Sequence, residues 1–217
     1  RGLRPDAQQW RERAQQLARA IESHAWDGAW YLRAFDDHGS PLGSSSSRTC
    51  RLHSIAQSWA AISGAADEQR ARQALRAADE FRVREQDGVV LLLAPPFDGT
   101  EADPGYIRAY PPGVRENGGQ YTHAATWLGW AHAELGDADG AERILRIINP
   151  VFHGRSAKDV ARYLVEPYAL AGDVYGASPY VGRGGWSWYT GSAAWAWRLG
   201  VERILGLRRE NGALRID

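Results

Sequence analysis

Methionine is absent from the 217-residue chain, and cysteine and lysine occur once each, as Cys50 and Lys158. A single cysteine forms no internal disulfide, and with no spaced Cys/His set beside it a structural zinc site is excluded. Such cysteine use fits a reducing cytoplasm. No apolar run approaches the roughly 18 residues of a membrane-spanning helix, and no signal peptide opens the sequence. A chain that starts at Arg1, contains no Met and closes on NGALRID reads as a piece of something longer. Net charge is missing as well: 26 basic side chains balance 26 acidic ones, so nothing draws the chain to nucleic acid or an anionic membrane. The basic side is almost entirely arginine, for which genomic bias is the simpler explanation and guanidinium recognition of anions the other.

Several catalytic signatures are absent too. His24, His38, His53, His123, His132 and His153 include no pair one helical turn apart and no H-E-x-x-H. There is no G-x-S-x-G elbow, no Walker loop, and no G-x-G-x-x-G after a strand. Metallohydrolase, serine-hydrolase and nucleotide-binding readings are set aside.

Aromatic residues are what the chain has in excess: 10 Trp, 9 Tyr and 4 Phe, within an ordinary balance of 44% hydrophobic and 24% charged residues. Flat rings serve as platforms for sugars and equally as core filler. Trp10, Ala14, Leu17, Ala18 and Ile21 recur at helical spacing behind Pro5 and Asp6. LHSIAQSWAAISG, ADEQRARQALRAADEFRV, AATWLGWAHAEL, DADGAERILRIIN (stopped by Pro150), SAKDVARYL and SAAWAWRLGVERILGL bring the total to about seven helices. Trp30, Leu32 and Ala34 alternate as a short hairpin arm, and GVVLLLAPPF contains a short buried strand. The stretch from Phe97 to Pro112 is a long loop by composition, and long loops in compact domains are usually functional. The pattern is mostly α, with loops converging on a site.

Three stretches carry chemistry. In GVRENGGQYTH, Gly113 to His123, Asn117 and Gln120 form a capping-box pattern ahead of a helix. Capping accounts for those two and leaves Arg115, Glu116 and His123 over, although a histidine beside Trp127 and Trp130 also reads as structural. Gly118 and Gly119 let the backbone turn close to a ligand. In GRGGWSWYTGSAAW, Arg183, several glycines, Trp186, Trp188 and Thr190-Gly191-Ser192 precede a helix. Free N–H groups, a hydroxyl and the helix dipole there suit an anion, with simple capping by Thr190 or Ser192 as the alternative. RYLVEPYALAGDVYG holds Glu166 in extended backbone before Pro167, followed by Asp173 and Tyr175, which line a cleft or merely cross the surface. Together these describe an aromatic cleft for an uncharged ligand with an anion pocket beside it.

PPGVRENGGQYTHAATWLGWA, RYLVEPYALAGDVYG and GRGGWSWYTGSAAWAWRLGVERILGL resemble the inverting glycoside phosphorylases of glycoside hydrolase family 94. WDGAWYLRAFDDHGSPLGS and RLHSIAQSWAAISG extend the resemblance, in order, over nearly the whole chain. It is nearest the branch formed by the C-terminal phosphorylase-like regions of bacterial cyclic β-1,2-glucan synthases. The resemblance implies that residues 1–217 are one partial catalytic domain, the C-terminal part of an (α/α)6 toroid, mostly α with long loops and a few short strands. It implies no cofactor and no metal: inorganic phosphate is a co-substrate that attacks the anomeric carbon while one Asp protonates the leaving oxygen.

Carried over by position, His123 and the Thr190-Gly191 pair contact phosphate, and Arg115, the basic residue flanking a sugar-binding Glu116, joins the phosphate set. Tyr110 lines the acceptor side, and Asp173 and Trp188 join the sugar-binding set from the downstream segments. Implied partners are a β-glucan oligosaccharide, phosphate and the remainder of the parent chain, and a homodimer is compatible. The implied location is the cytoplasm, or the cytoplasmic side of the inner membrane within a larger synthase.

The match has departures. The family's general-acid Asp lies in a Trp-Asn-Asp-Gly-type segment upstream of WDGAWYLRAF, and no such segment occurs here; Asp27 and Asp37 belong to other motifs. Further phosphate- and sugar-holding arginines are also expected upstream. Ala171-Gly172-Asp173 stands where disaccharide phosphorylases carry a sugar-contacting Gln, and His53 where an acidic residue is expected. No phosphorolysis is therefore expected from these residues alone. An inverting hydrolase using Glu166 or Asp173 as base, and a non-catalytic glucan-binding or length-control module, are the rival readings.

Overall fold

A computed structural model describes residues 4–99, 103–188 and 190–217, without the side chains of Arg4 and Pro5. Among the described residues eight α-helices carry the fold: α1 (Arg4–His24), α2 (Ser54–Ile62), α3 (Glu68–Arg82), α4 (Thr122–Glu134), α5 (Ala138–Ile148), the single turn α6 (Pro150–His153), α7 (Ala157–Tyr163) and α8 (Ser192–Arg198). The chain is mostly α with few and short strands. None of these helices is long and apolar enough to cross a membrane.

Helix α4 is the centre. Its small and apolar residues are buried around almost its whole circumference, because α2, α5 and α8 all pack on it. Gly129 makes the closest approach, since a Cβ there would stand 2.8 Å from Leu199 Cδ2 and 3.2 Å from Ile144 Cγ2. Ala125, Leu128 and Ala131 of α4 meet Ile144 and Ile148 of α5, Ala74, Leu75 and Ala78 of α3, and Leu52, Trp30 and Tyr31 before α2. Side chains cap the helices where the sequence offers them: Asp67 accepts from Gln69 N and Arg70 N, and Asp137 from Gly140 N. Pro150 does not simply stop α5; Asn149 caps a new turn in which Pro150 takes the first position.

Much of the tryptophan excess is packing. Trp59 meets Trp127 edge to face at 5.4 Å, Trp127 meets Trp195 at 5.8 Å, and Trp130 meets Trp195 at 5.4 Å, a ladder running from α2 through α4 to α8. Beyond Arg198 the helix widens to a π-helical turn at Leu199–Ile204. The apolar stripe expected on α1 is present yet uncovered, with Trp10 68% and Leu17 65% exposed. That helix is tied down at its C-terminal end, where the Glu22 carboxylate meets Arg70 at 2.6 Å and accepts from the Tyr31 hydroxyl.

The strands are short antiparallel pairs that fix loops. The hairpin arm is β1 (Ala34–Phe35) on β2 (Pro41–Leu42). The buried run GVVLLLA, expected as one strand, supplies two: β5 (Val89–Val90) pairs with β4 (Val83–Arg84), and β6 (Leu93–Ala94) with β3 (Leu52–His53). Strand β7 (Gln120–Tyr121) pairs with β8 (Asp173–Val174), placing Tyr121 opposite Asp173. A terminal hairpin, β9 (Leu207–Glu210) on β10 (Ala213–Ile216), lies where the sequence showed no strand pattern.

Candidate active site

The turn ahead of α4 is built from its own backbone. Gly113 N donates to Asn117 O at 2.7 Å, Asn117 N to Val114 O at 3.0 Å, and Gly119 N to Arg115 O at 3.1 Å. Arg115 takes a left-handed φ of 45°, a conformation most side chains resist. Gly118 at φ 84° packs on Pro96, and a Cβ on Gly119 would stand 2.8 Å from Arg115 N. Both glycines therefore serve the turn itself; neither lines the cavity described below.

The capping-box reading is overturned by the same turn. Asn117 is buried four positions before Tyr121, the last residue ahead of α4, and its side chain reaches another loop. Its Oδ1 accepts from Phe97 N at 2.7 Å, and its Nδ2 donates to Phe97 O at 3.0 Å and Tyr110 O at 2.8 Å. Gln120 accepts from Val90 N at 2.9 Å and donates to Thr122 Oγ1 at 3.2 Å. Phe97 and Val90 lie 20 and 30 residues upstream, and the helix begins without a side-chain cap.

Pairing of β7 with β8, and Thr122 N with Gly172 O at 2.9 Å, bring the first turn of α4 beside the 172–173 segment. The 184–186 segment lies against it in turn: Gly172 N donates to Trp186 O at 2.6 Å, and Trp186 N to Asp173 Oδ1 at 2.9 Å. A Cβ on Gly185 would fall 2.3 Å from Asp173 Oδ2, so the buried carboxylate needs a glycine there. Next along the chain, the Thr190 hydroxyl accepts from Ser192 N at 3.1 Å and contacts the Ser192 hydroxyl. The first amide of α8 is therefore satisfied internally, as simple capping anticipated.

These segments enclose a cavity of about 420 Å³ lined by Arg115, Glu116, Tyr121, His123, Gly172, Asp173, Trp186, Thr190 and Gly191. Six expected site residues meet here: His123, Thr190, Gly191, Arg115, Glu116 and Asp173. Tyr110 stands behind the wall, with the Arg115 guanidinium 5.9 Å from its ring. Trp188 lies outside the wall and is 76% exposed, and the neighbouring Trp186 supplies the ring instead. Tyr121 and Gly172 also line the cavity without having been singled out. Glu166 is away from it, bonded to the Ser187 hydroxyl at 2.7 Å, and Arg183 lies over Tyr180.

The electrostatics divide the cavity. A hydrogen bond with the Tyr110 hydroxyl, and beyond it the Asp173 carboxylate at 3.8 Å, hold Arg115 more basic than usual. Partial burial pushes His123 below its ordinary value, so it is neutral near pH 7 and acts as a hydrogen-bonding group. Its ring stacks with Tyr121 at 5.9 Å and touches Trp127 at 5.8 Å. Glu116 and Tyr121 are shared with a second, largely apolar cavity of about 320 Å³, and one buried oxygen of Glu116 has no partner. His53 lines that second cavity as well; burial takes it down to about 3, and its Nδ1 accepts from Ile55 N as the cap of α2. A neutral capping histidine thus fills the position where an acidic residue was expected.

Comparison with known proteins places the whole chain. Along 98% of its length the chain is 48% identical to the cyclic beta-(1,2)-glucan synthase NdvB of Rhizobium meliloti (strain 1021), of which it covers 8%. Solabiose phosphorylase of Paenibacillus borealis is 32% identical over 94% of the chain and 26% of that protein. N,N'-diacetylchitobiose phosphorylase of Vibrio proteolyticus is 29% identical over 81% of the chain and 22% of that protein. The chain therefore spans about a quarter or less of the length of each. Residues 1–206 match the catalytic domain of the Glycosyl hydrolase 94 superfamily, and the chain belongs to that family.

Proposed function

We propose that the chain supplies the phosphate pocket and part of the sugar cleft of a glycoside phosphorylase-type domain acting on β-glucan. One observation carries this reading: His123, Thr190, Gly191 and Arg115 face the same 420 Å³ cavity as Glu116 and Asp173. The first four offer neutral and cationic donors to a phosphate, which attacks the anomeric carbon of the sugar held on the Glu116 side. The glycosidic C–O bond breaks, its oxygen takes a proton from an acid elsewhere in the parent protein, and inversion yields α-glucose 1-phosphate. Phosphate is a co-substrate in this scheme and no cofactor takes part. The 48% identity to a cyclic beta-(1,2)-glucan synthase favours a β-1,2-linked glucan. An (α/α)6 toroid completed by the rest of the parent chain and a cytoplasmic site of action belong to the same reading.

Calorimetry with inorganic phosphate and with a β-1,2-glucan oligosaccharide tests the assignment. His123→Ala is expected to weaken phosphate by about tenfold or more and to leave the sugar nearly untouched. Equal phosphate affinity in the variant would refute the pocket. A second reading, inverting hydrolysis, rests on the Asp173 carboxylate lining the cavity. It predicts products that form without phosphate, whereas phosphorolysis makes every product phosphate-dependent.

A further inference from the structure

The last residue of α3 presents a charge that the site above does not use. Arg82 is 4% exposed, yet its Nε and Nη1 have no hydrogen-bond partner. A buried guanidinium with orphaned donors is costly unless something accepts from them. The side chain lines a pocket of about 250 Å³ whose walls also include Arg51, Trp30, Phe81 and Pro95, and which shares no residue with the cavity holding His123. Trp30 and Phe81 meet edge to face at 5.8 Å and give the pocket an aromatic side.

No carboxylate of the described residues offsets Arg82. Burial lowers it to about 10, and Arg84 and Arg51 press in the same direction. Arg84 is turned to Gly176 O at 3.3 Å, and Arg33 and Arg82 are the charges felt by neutral His53. Cys50 lies near enough to bear on Arg82, but burial pushes its own thiol up to about 12, so it stays protonated and supplies no countercharge. The region is cationic and unmatched, with Arg82 holding two unpartnered donors on one side chain.

We propose that this pocket binds a small oxyanion-bearing ligand, a carboxylate or phosphate that accepts from Arg82 Nε and Nη1, with any apolar body against Trp30 and Phe81. Arg51 at the exposed rim adds a second cation and draws the anion in. The apolar walls favour an organic carboxylate, because inorganic phosphate would shed more water than two arginines replace. The inference stands apart from phosphorolysis and survives its failure.

The test uses the His123→Ala chain, which removes the phosphate contact proposed above, titrated at constant ionic strength with benzoate and, separately, with inorganic phosphate. Binding is followed by calorimetry and by the Nε–H resonance of Arg82. Benzoate is expected to saturate while moving that resonance, and Arg51→Gln, at the rim, should weaken it about threefold. Arg82→Gln should weaken it by about tenfold or more. If phosphate moves the resonance at lower concentration than benzoate, the oxyanion site stands and its ligand is inorganic. If Arg82→Gln does not fold, the parent resonance and Arg51→Gln decide. An Arg82 resonance indifferent to both probes up to roughly 50 mM, or benzoate binding unaltered by Arg51→Gln, overturns the proposal.

Discussion

The His123 imidazole lies against the α-carbon of Gly191: a methyl group added there would stand 2.8 Å from Nε2 and 3.0 Å from Cε1. Residues 68 positions apart in sequence thus form one wall, and the glycine is required by the ring rather than by its own backbone. Gly191 has φ −72° and ψ −8°, which alanine adopts freely.

Gly191→Ala is therefore a clean probe of the wall. The methyl should displace the imidazole, weaken phosphate about tenfold, and move the thermal midpoint by no more than about 3 °C. Combined with His123→Ala it should add little, because both act on the same contact. Additive losses in the double variant would mean that His123 and Gly191 do not serve one ligand.

Asn117 is predicted to matter for stability rather than for ligand. Its amide makes three hydrogen bonds that join the 113–119 turn to Phe97 and Tyr110. Asn117→Ala leaves buried backbone groups without partners, and a loss of about 3 kcal/mol is expected from urea unfolding. A loss below about 1 kcal/mol would show that water replaces the amide at little cost.

Asn117 also marks the limit of what the sequence made legible. Asn117 and Gln120 have the spacing of a capping box, but spacing cannot reveal that Phe97 and Val90 bring backbone donors from a loop and a strand far upstream. Helices α2 to α5 were legible because their apolar residues recur at helical period and their ends carry Asp or Gly. The α1 stripe was legible too, although periodicity says nothing of what covers it. His123, Thr190 and Gly191 were found through the family resemblance. Trp186 and Trp188 sit in irregular backbone, where alternation does not tell which ring faces inward. The β9–β10 hairpin was missed because LRRENGALRI has no apolar alternation, and both faces of the hairpin are largely exposed.

A pH dependence follows from His132. Its Nδ1 lies 2.8 Å from Asp137 and its Nε2 3.1 Å from Asp79, which also meets Arg143 at 2.7 Å. Burial alone would lower His132, but the hydrogen bonds and charges of Asp79 and Asp137 outweigh it and hold the imidazole above its ordinary value. A raised folded-state value stabilises the fold fully below the unfolded value near 6.5, and that stability is lost as pH rises through the folded value. Urea stability should fall across this window in the parent, and His132→Gln should flatten that part of the profile. An unchanged slope in His132→Gln would assign the dependence to another group.

Glu116 gives the sharpest test of a divided cavity. One of its carboxylate oxygens is buried without a partner, and the residue lines both the 420 Å³ and the 320 Å³ cavity. Sugar hydroxyls are donors that would satisfy such an acceptor, whereas a phosphate would be repelled by it. Glu116→Gln keeps the shape and replaces an acceptor by a donor. A β-1,2-glucan oligosaccharide should bind about tenfold more weakly, while phosphate affinity stays the same or rises. The protein without ligand should be as stable as before or slightly more so, since an unpartnered charge has been removed. If phosphate weakens together with sugar, Glu116 acts on both through Arg115, and the two halves of the cavity are a single unit.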